Sequence, residues 1–93
     1  MRKRERYIDQ ALRHRVKQLD GLYLKLTNPA GIPDRLVLFP GGRAGFIEVK
    51  RPGETPRPLQ HYWINKLQKM GFFVTYEDSI EGGELFIDKI LEG

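Results

Sequence analysis

The chain has 93 residues, no cysteine, 16 Lys and Arg against 12 Asp and Glu, and a formal net charge of +4. That length supports one small domain spanning 1–93, with one core and one site. Neither a disulfide nor a thiolate zinc site can form without cysteine. No apolar run approaches the ~18 residues of a membrane span, and nothing resembles a signal peptide, so the expectation is a soluble, intracellular protein.

The charge is unevenly spread. Residues 1–17 carry seven Lys or Arg and two acids, whereas residues 77–93 carry one Lys and six acids. A basic front suits a polyanionic partner, and an acidic tail should face away from it.

Residues 4–20 read as a helix. Ile8, Ala11, Leu12, Val16 and Leu19 form an apolar stripe at helical spacing. Gly21 is a natural stop. Glu5 and Asp9 lie one turn apart at the edge of the stripe, and Arg2, Arg6, Arg13 and Lys17 fall on a neighbouring strip. Leu22, Leu24 and Leu26 alternate with Tyr23 and Lys25 as a first strand. Asn28-Pro29 and Gly31 break the chain into a loop that runs to Pro33.

Two further strands flank Pro40-Gly41-Gly42. A two-residue turn at Gly41-Gly42 would pair Asp34 with Val49 and put Asp34 on the wrong face. A three-residue loop, Pro40 to Gly42, pairs Phe39 with Arg43 and Asp34 with Glu48. The expected form is a type I turn followed by a left-handed residue, with proline first and glycine last. Cross-strand partners stand roughly 4.5–5.5 Å apart at Cβ, close enough for two carboxylates to share one divalent cation. Glu48 and Lys50 alternate onto one face while Ile47 and Val49 fill the other. Unneutralised, the paired acids would repel and a pKa would rise. Away from the charged end both faces are apolar, with Leu36, Leu38 and Phe46 on one and Val37, Phe39, Ile47 and Val49 on the other. Such strands are usually covered by helices on both sides.

Arg51 to Pro58 is a proline-rich loop that carries Arg51 and Arg57 beside the acids. A second helix follows over 59–70, with Trp63, Ile64, Leu67 and Met70 as its buried stripe. Gln60 lies on that stripe and needs a hydrogen-bond partner there. Residues 72–76 read as a fourth strand, parallel to the third. Residues 80–91 read as a last helix, capped by Ser79, with Leu85, Phe86, Ile90 and Leu91 buried. The order is α-β-β-β-α-β-α, an α/β arrangement.

Gly31-Ile32-Pro33-Asp34, then Glu48-Val49-Lys50-Arg51-Pro52, then Gln60, resemble the VRR-NUC domain, the virus-type replication-repair branch of the PD-(D/E)XK nucleases. The resemblance runs from the first helix to Tyr76. It implies a restriction-endonuclease-like αβββαβ core, here a four-stranded mixed sheet flanked by helices with an extra C-terminal helix. It also implies a Mg²⁺ or Mn²⁺ ion held by Asp34, Glu48 and the Val49 carbonyl. Lys50 would orient or help deprotonate the attacking water or stabilise the transition state; two flanking carboxylates favour the electrostatic role. Gln60 would stand against the carboxylates. The family has an acid on the first helix, usually Glu, and here spacing to Leu12 and Val16 favours the shorter Asp9 over Glu5.

The function so implied is a metal-dependent endonuclease for branched DNA, a four-way (Holliday) junction first and a flap or nicked substrate second. Arg2, Arg6, Arg13, Lys17, Arg51 and Arg57 are the candidate phosphate contacts. A catalytically silent DNA-binding module is the rival, disfavoured by the intact Asp34, Glu48 and Lys50. A junction needs two symmetric cuts and one small domain has one site, so a homodimer is expected. No phosphate-cradling glycine loop is present, so no nucleotide cofactor is expected. His14 and His61 are too scattered for a metal site. If the protein is phage-encoded, the host cytoplasm is its expected place.

Overall fold

A computed structural model describes residues 3–93. The elements are α1 (Lys3–Gln18), β1 (Leu22–Lys25), β2 (Arg35–Phe39), β3 (Arg43–Val49), α2 (Pro58–Lys69), β4 (Phe73–Glu77) and α3 (Ile80–Glu92). The four strands form one mixed sheet in the order β1-β2-β3-β4. β1–β2 and β2–β3 are antiparallel, and β3–β4 is parallel across the α2 crossover. This is the α/β architecture expected from the element order.

The β2–β3 register pairs Phe39 with Arg43 and Arg35 with Ile47, as the three-residue loop requires. The turn itself differs from expectation. Gly41 and Gly42 both have positive φ, 89° and 78°. A type I turn would keep Gly41 at negative φ; a positive φ after Pro40 is the type II pattern. The stop of α1 also divides its work differently. Asp20, at φ 63°, takes the left-handed position, and Gly21 is required for space, because a Cβ there would lie 2.6 Å from the Phe39 ring.

The two faces of the sheet are covered unequally. Over one face, α1 and α3 bury Val37, Phe39, Ile47 and Val49 beneath Ile8, Leu12, Val16, Phe86, Ile87 and Ile90. The α3 stripe is Gly83, Phe86, Ile87 and Ile90. It is rotated from the expected one, so Leu85 is exposed and Leu91 only half-buried. Gly83 lets α3 approach α1: a Cβ there would sit 2.5 Å from Leu12.

Over the other face, Ile64 and Leu67 of α2 cover Val74, with Ile32 and Phe46 alongside. Met70 lies just past the end of α2 and is exposed. The cover does not reach β1. Tyr23 is the core-facing residue of that strand, while Leu22 and Leu24 are 57% and 40% exposed. Their cross-strand partners, Leu38 and Leu36, are half-buried on the same face. Both-sided burial of the hairpin is therefore complete on one face and partial on the other.

Candidate active site

The hairpin register, carried one residue past Arg35 and Ile47, sets Asp34 opposite Glu48. Each carboxylate accepts a backbone N–H from the other's strand. Asp34 N–H donates to Glu48 Oε1 at 3.1 Å, and Val49 N–H donates to Asp34 Oδ1 at 3.1 Å. These two bonds hold both side chains at the end of the sheet where β2 begins and β3 finishes. The peptide N–H groups of an extended chain are fixed by the backbone, so the acids are oriented by the fold itself.

Glu48 and Lys50 alternate onto one side of β3, and both are buried. Lys50 Nζ lies 3.7 Å from Glu48 Oε2. Gln60, in the first turn of α2, donates from Nε2 to the same Oε2 at 3.0 Å. Its Oε1 accepts from the Arg57 N–H at 2.8 Å, half of a capping box, which fixes which way the amide faces. Gln60 therefore meets the carboxylate cluster, and the residue that starts α2 also ties that helix to Glu48.

The electrostatics show an anionic pair short of cations. Burial raises the Asp34 carboxyl to about 6; the Val49 N–H and Arg35 oppose this, while Asp9 and Glu5 add to it. Burial raises Glu48 to about 7 and the Asp34 charge adds to this, against the opposing pull of Lys50. The cost of holding two ionised carboxylates here is what a divalent cation would remove. The donors are hard oxygens. Val49 adds a carbonyl on the same side, because the N–H and C=O of an extended residue leave the strand together. Among the described residues no three His, Cys, Asp or Glu side chains converge as a metal cage. Two carboxylates and a carbonyl instead fit an ion such as Mg²⁺, which keeps several waters and completes its shell with substrate phosphate.

Asp9 does not join this group. It is buried on the α1 side of the sheet, and both of its oxygens are engaged. Oδ1 accepts from Tyr23 Oη at 2.8 Å and Arg35 Nε at 2.7 Å, and Oδ2 accepts from Arg35 Nη2 at 2.6 Å. Residue 35 follows Asp34 and so points to the opposite face, where its buried guanidinium requires an acid. Glu5 lies one turn nearer the helix start and is half-buried. Burial and then Glu54 raise its pKa, while Lys50 opposes them. The spacing argument selected the residue deepest in the stripe. That depth brings Asp9 to Arg35 and Tyr23 rather than to the carboxylate pair.

Arg51 Nε pairs with Glu54 at 3.3 Å. With Arg4, Pro52 and Gly53 these residues line a groove of about 470 Å³ beside the site. Arg57 is exposed at the start of α2. Arg6, Arg13 and Lys17 are exposed along α1, with Arg13 over the Tyr23 ring at 5.3 Å. Arg2 lies outside the described residues. Sequence reasoning named neither Arg35 nor Glu54. A lone arginine in an apolar strand was the available signal for the first, since it demands a buried acid on the facing helix.

A mixed sheet with paired carboxylates and a lysine at its strand ends defines the PD-(D/E)XK class of nuclease folds. The VRR-NUC domain family matches residues 2–78, and the chain belongs to that family. It is 38% identical over 78 residues to "Putative nuclease p44" of Acyrthosiphon pisum secondary endosymbiont phage 1, covering 82% of this chain and 84% of that protein. A solved VRR-NUC domain superposes with a TM-score of 0.86 at 29% identity, over 94% of this chain and 97% of the other.

Two outcomes follow from this geometry. Because Asp34 and Glu48 titrate higher in the folded chain than in the unfolded one, their contribution to stability is full below about pH 4 and is lost as pH rises through about 6–7. In EDTA, the thermal midpoint of the wild type should fall over that window more steeply than that of the Asp34→Asn/Glu48→Gln double variant. Equal slopes, read by circular dichroism, would remove the pair as the cause. Separately, Asp9→Ala leaves the Arg35 charge buried and unpaired and should cost about 3–5 kcal/mol in urea unfolding, most of it recovered in Asp9→Leu/Arg35→Met.

Proposed function

We propose that the chain is a divalent-metal-dependent endonuclease that cuts branched DNA, a four-way junction above all, as a homodimer. The observation that carries this reading is the desolvated Asp34–Glu48 pair beside the buried Lys50. Mg²⁺ or Mn²⁺ bound to Asp34, Glu48 and the Val49 carbonyl would supply Lewis acidity at the scissile phosphate and a more acidic water. Lys50, reaching the same point from β3, stabilises negative charge as it develops on the phosphoryl oxygens. Gln60 keeps Glu48 in one orientation. Glu5, rather than Asp9, is the helix-one acid that faces the site.

Arg4, Arg6, Arg51 and Arg57 supply phosphate contacts at the site end of the molecule, and Arg13 and Lys17 extend them along α1. Such contacts position the duplex without reading its sequence, which fits an enzyme that selects a branch. The half-covered leucine face of β1 and β2 supports the dimer. Leu22, Leu24, Leu36 and Leu38 present a continuous aliphatic surface. A two-fold axis would lay this surface against its own copy, as two sheets pack face to face. Leu24 and Leu36 pair one step from Lys25 and Arg35, so the surface begins next to Asp34.

Asp34→Asn and Glu48→Gln should each lower Mg²⁺-dependent cleavage of a labelled junction by at least ~100-fold, or ~2.7 kcal/mol in barrier, while binding in EDTA stays within a few-fold of wild type. Retained turnover in either variant would falsify the site assignment. Leu24→Asp should turn a dimer into a monomer in equilibrium sedimentation and replace paired, symmetric nicks with uncoordinated single ones. A wild type that sediments as a monomer at micromolar concentration and cuts flaps but no junction would exclude the dimeric resolvase.

A further inference from the structure

Beyond the catalytic cluster, the start of α1 carries an aromatic side chain that the fold does not use. Tyr7 is 68% exposed. It is the neighbour of Ile8 but lies off the stripe of Ile8, Leu12 and Val16 that meets the sheet. Tyr7 lines an open groove of about 890 Å³ with Arg4, Arg6, Ile8, Gln10 and Pro52. That groove shares Arg4 and Pro52 with the smaller groove of Arg51, Gly53 and Glu54. The smaller groove is formed by the loop that directly follows Lys50. The two grooves adjoin at Arg4 and Pro52 and form one channel from the loop after Lys50 to the phenol ring.

The chemistry of this channel changes along its length. Near the acids it is charged and polar. At its outer end the Tyr7 ring and Pro52 form an apolar surface over the buried Ile8, flanked by Arg4 and Arg6, with Gln10 at the edge. A paired duplex offers only its phosphate backbone to such a surface. An unstacked nucleotide offers a flat base for the ring and a phosphate for each arginine. The amide can then meet a base edge.

We propose that this groove is a subsite for an unpaired nucleobase, with Tyr7 as its stacking platform and Arg4 and Arg6 holding the adjoining phosphates. The proposal rests on the nuclease reading of the neighbouring site. It gives that site a means of preferring branch points, where bases are already unstacked, over intact duplex. The ring selects for an exposed base, and the arginines orient its strand toward Asp34 and Glu48.

The test is binding without cleavage, in EDTA, so that its failure is separable from failure of the nuclease reading, which depends on Mg²⁺-dependent cleavage. The ligands are a fluorescent flap with a single-stranded arm, a mixed-sequence single strand, and a plain duplex of matched length. Tyr7→Ala should weaken flap and single-strand binding about tenfold, the scale of one lost base–aromatic stack, and leave duplex binding within twofold. Tyr7→Phe and Tyr7→Trp should bind like wild type, because a ring and not a hydroxyl is needed. A 2-aminopurine in the flap arm should lose fluorescence on binding to wild type and keep it with Tyr7→Ala. Equal weakening on all three ligands, no weakening on any, or loss in Tyr7→Phe as large as in Tyr7→Ala would each overturn the proposal. Since Tyr7 is exposed and alanine is the better helix former, the variant should fold as wild type does.

Discussion

The antiparallel pairing of β2 with β3 is the constraint on which the site depends. One extra or missing residue in the Pro40–Gly42 loop would slide Asp34 by one position and send its side chain to the other face. In the observed register each strand supplies an N–H to the other's carboxylate. The acids are thus held by the peptide groups of the strand ends rather than by flexible partners. Held together there, the two carboxyls are raised above their ordinary values, chiefly by burial.

The same strand end carries a second cluster of opposite character. Asp34 and Arg35 are neighbours, so alternation sends them to opposite faces. On the α1 face Arg35 meets Asp9 and Tyr23 in an ion pair with side chains only 6% exposed. On the other side Asp34 meets Glu48, with the Lys50 ammonium 3.7 Å from Glu48 set against two acids. One cluster is electrically closed and anchors the first helix to the sheet. The other remains electrically incomplete, which is the condition for binding a metal. The closed pair retains one imperfection: among the described residues Arg35 Nη1 has no hydrogen-bond partner although it is buried, so the anchor is a fixture of geometry more than a source of net stability.

The helices divide their roles similarly. α1 and α3 supply most of the core, through the close approach at Gly83 and Leu12. α2 covers less of the sheet and instead delivers Gln60 to Glu48 from its first turn. Its short reach leaves the β1–β2 leucines half-covered, so one face of the sheet is fully covered and the other only in part.

Much was legible in the residues. Proline and glycine placement set the loop length, loop length set the register, and strand alternation then placed Asp34, Glu48 and Lys50 together. These are local rules with a period and a parity, so a one-dimensional string carries them. The order of elements followed in the same way, whereas periodicity left the partner of Gln60 open and only the family resemblance pointed it at the acids. What the string did not carry was depth along a helix and rotation of one element on another. Asp9 and Glu5 lie one turn apart at the edge of the same stripe, and only the seating of α1 on the sheet shows that Asp9 meets Arg35. Leu85, Met70, Leu22 and Leu24 have the composition of core residues, yet their exposure was settled by where neighbouring helices end. Hydrophobic periodicity shows which face an element presents. It does not show how far the covering element extends, because that is fixed by the summed packing of the whole molecule.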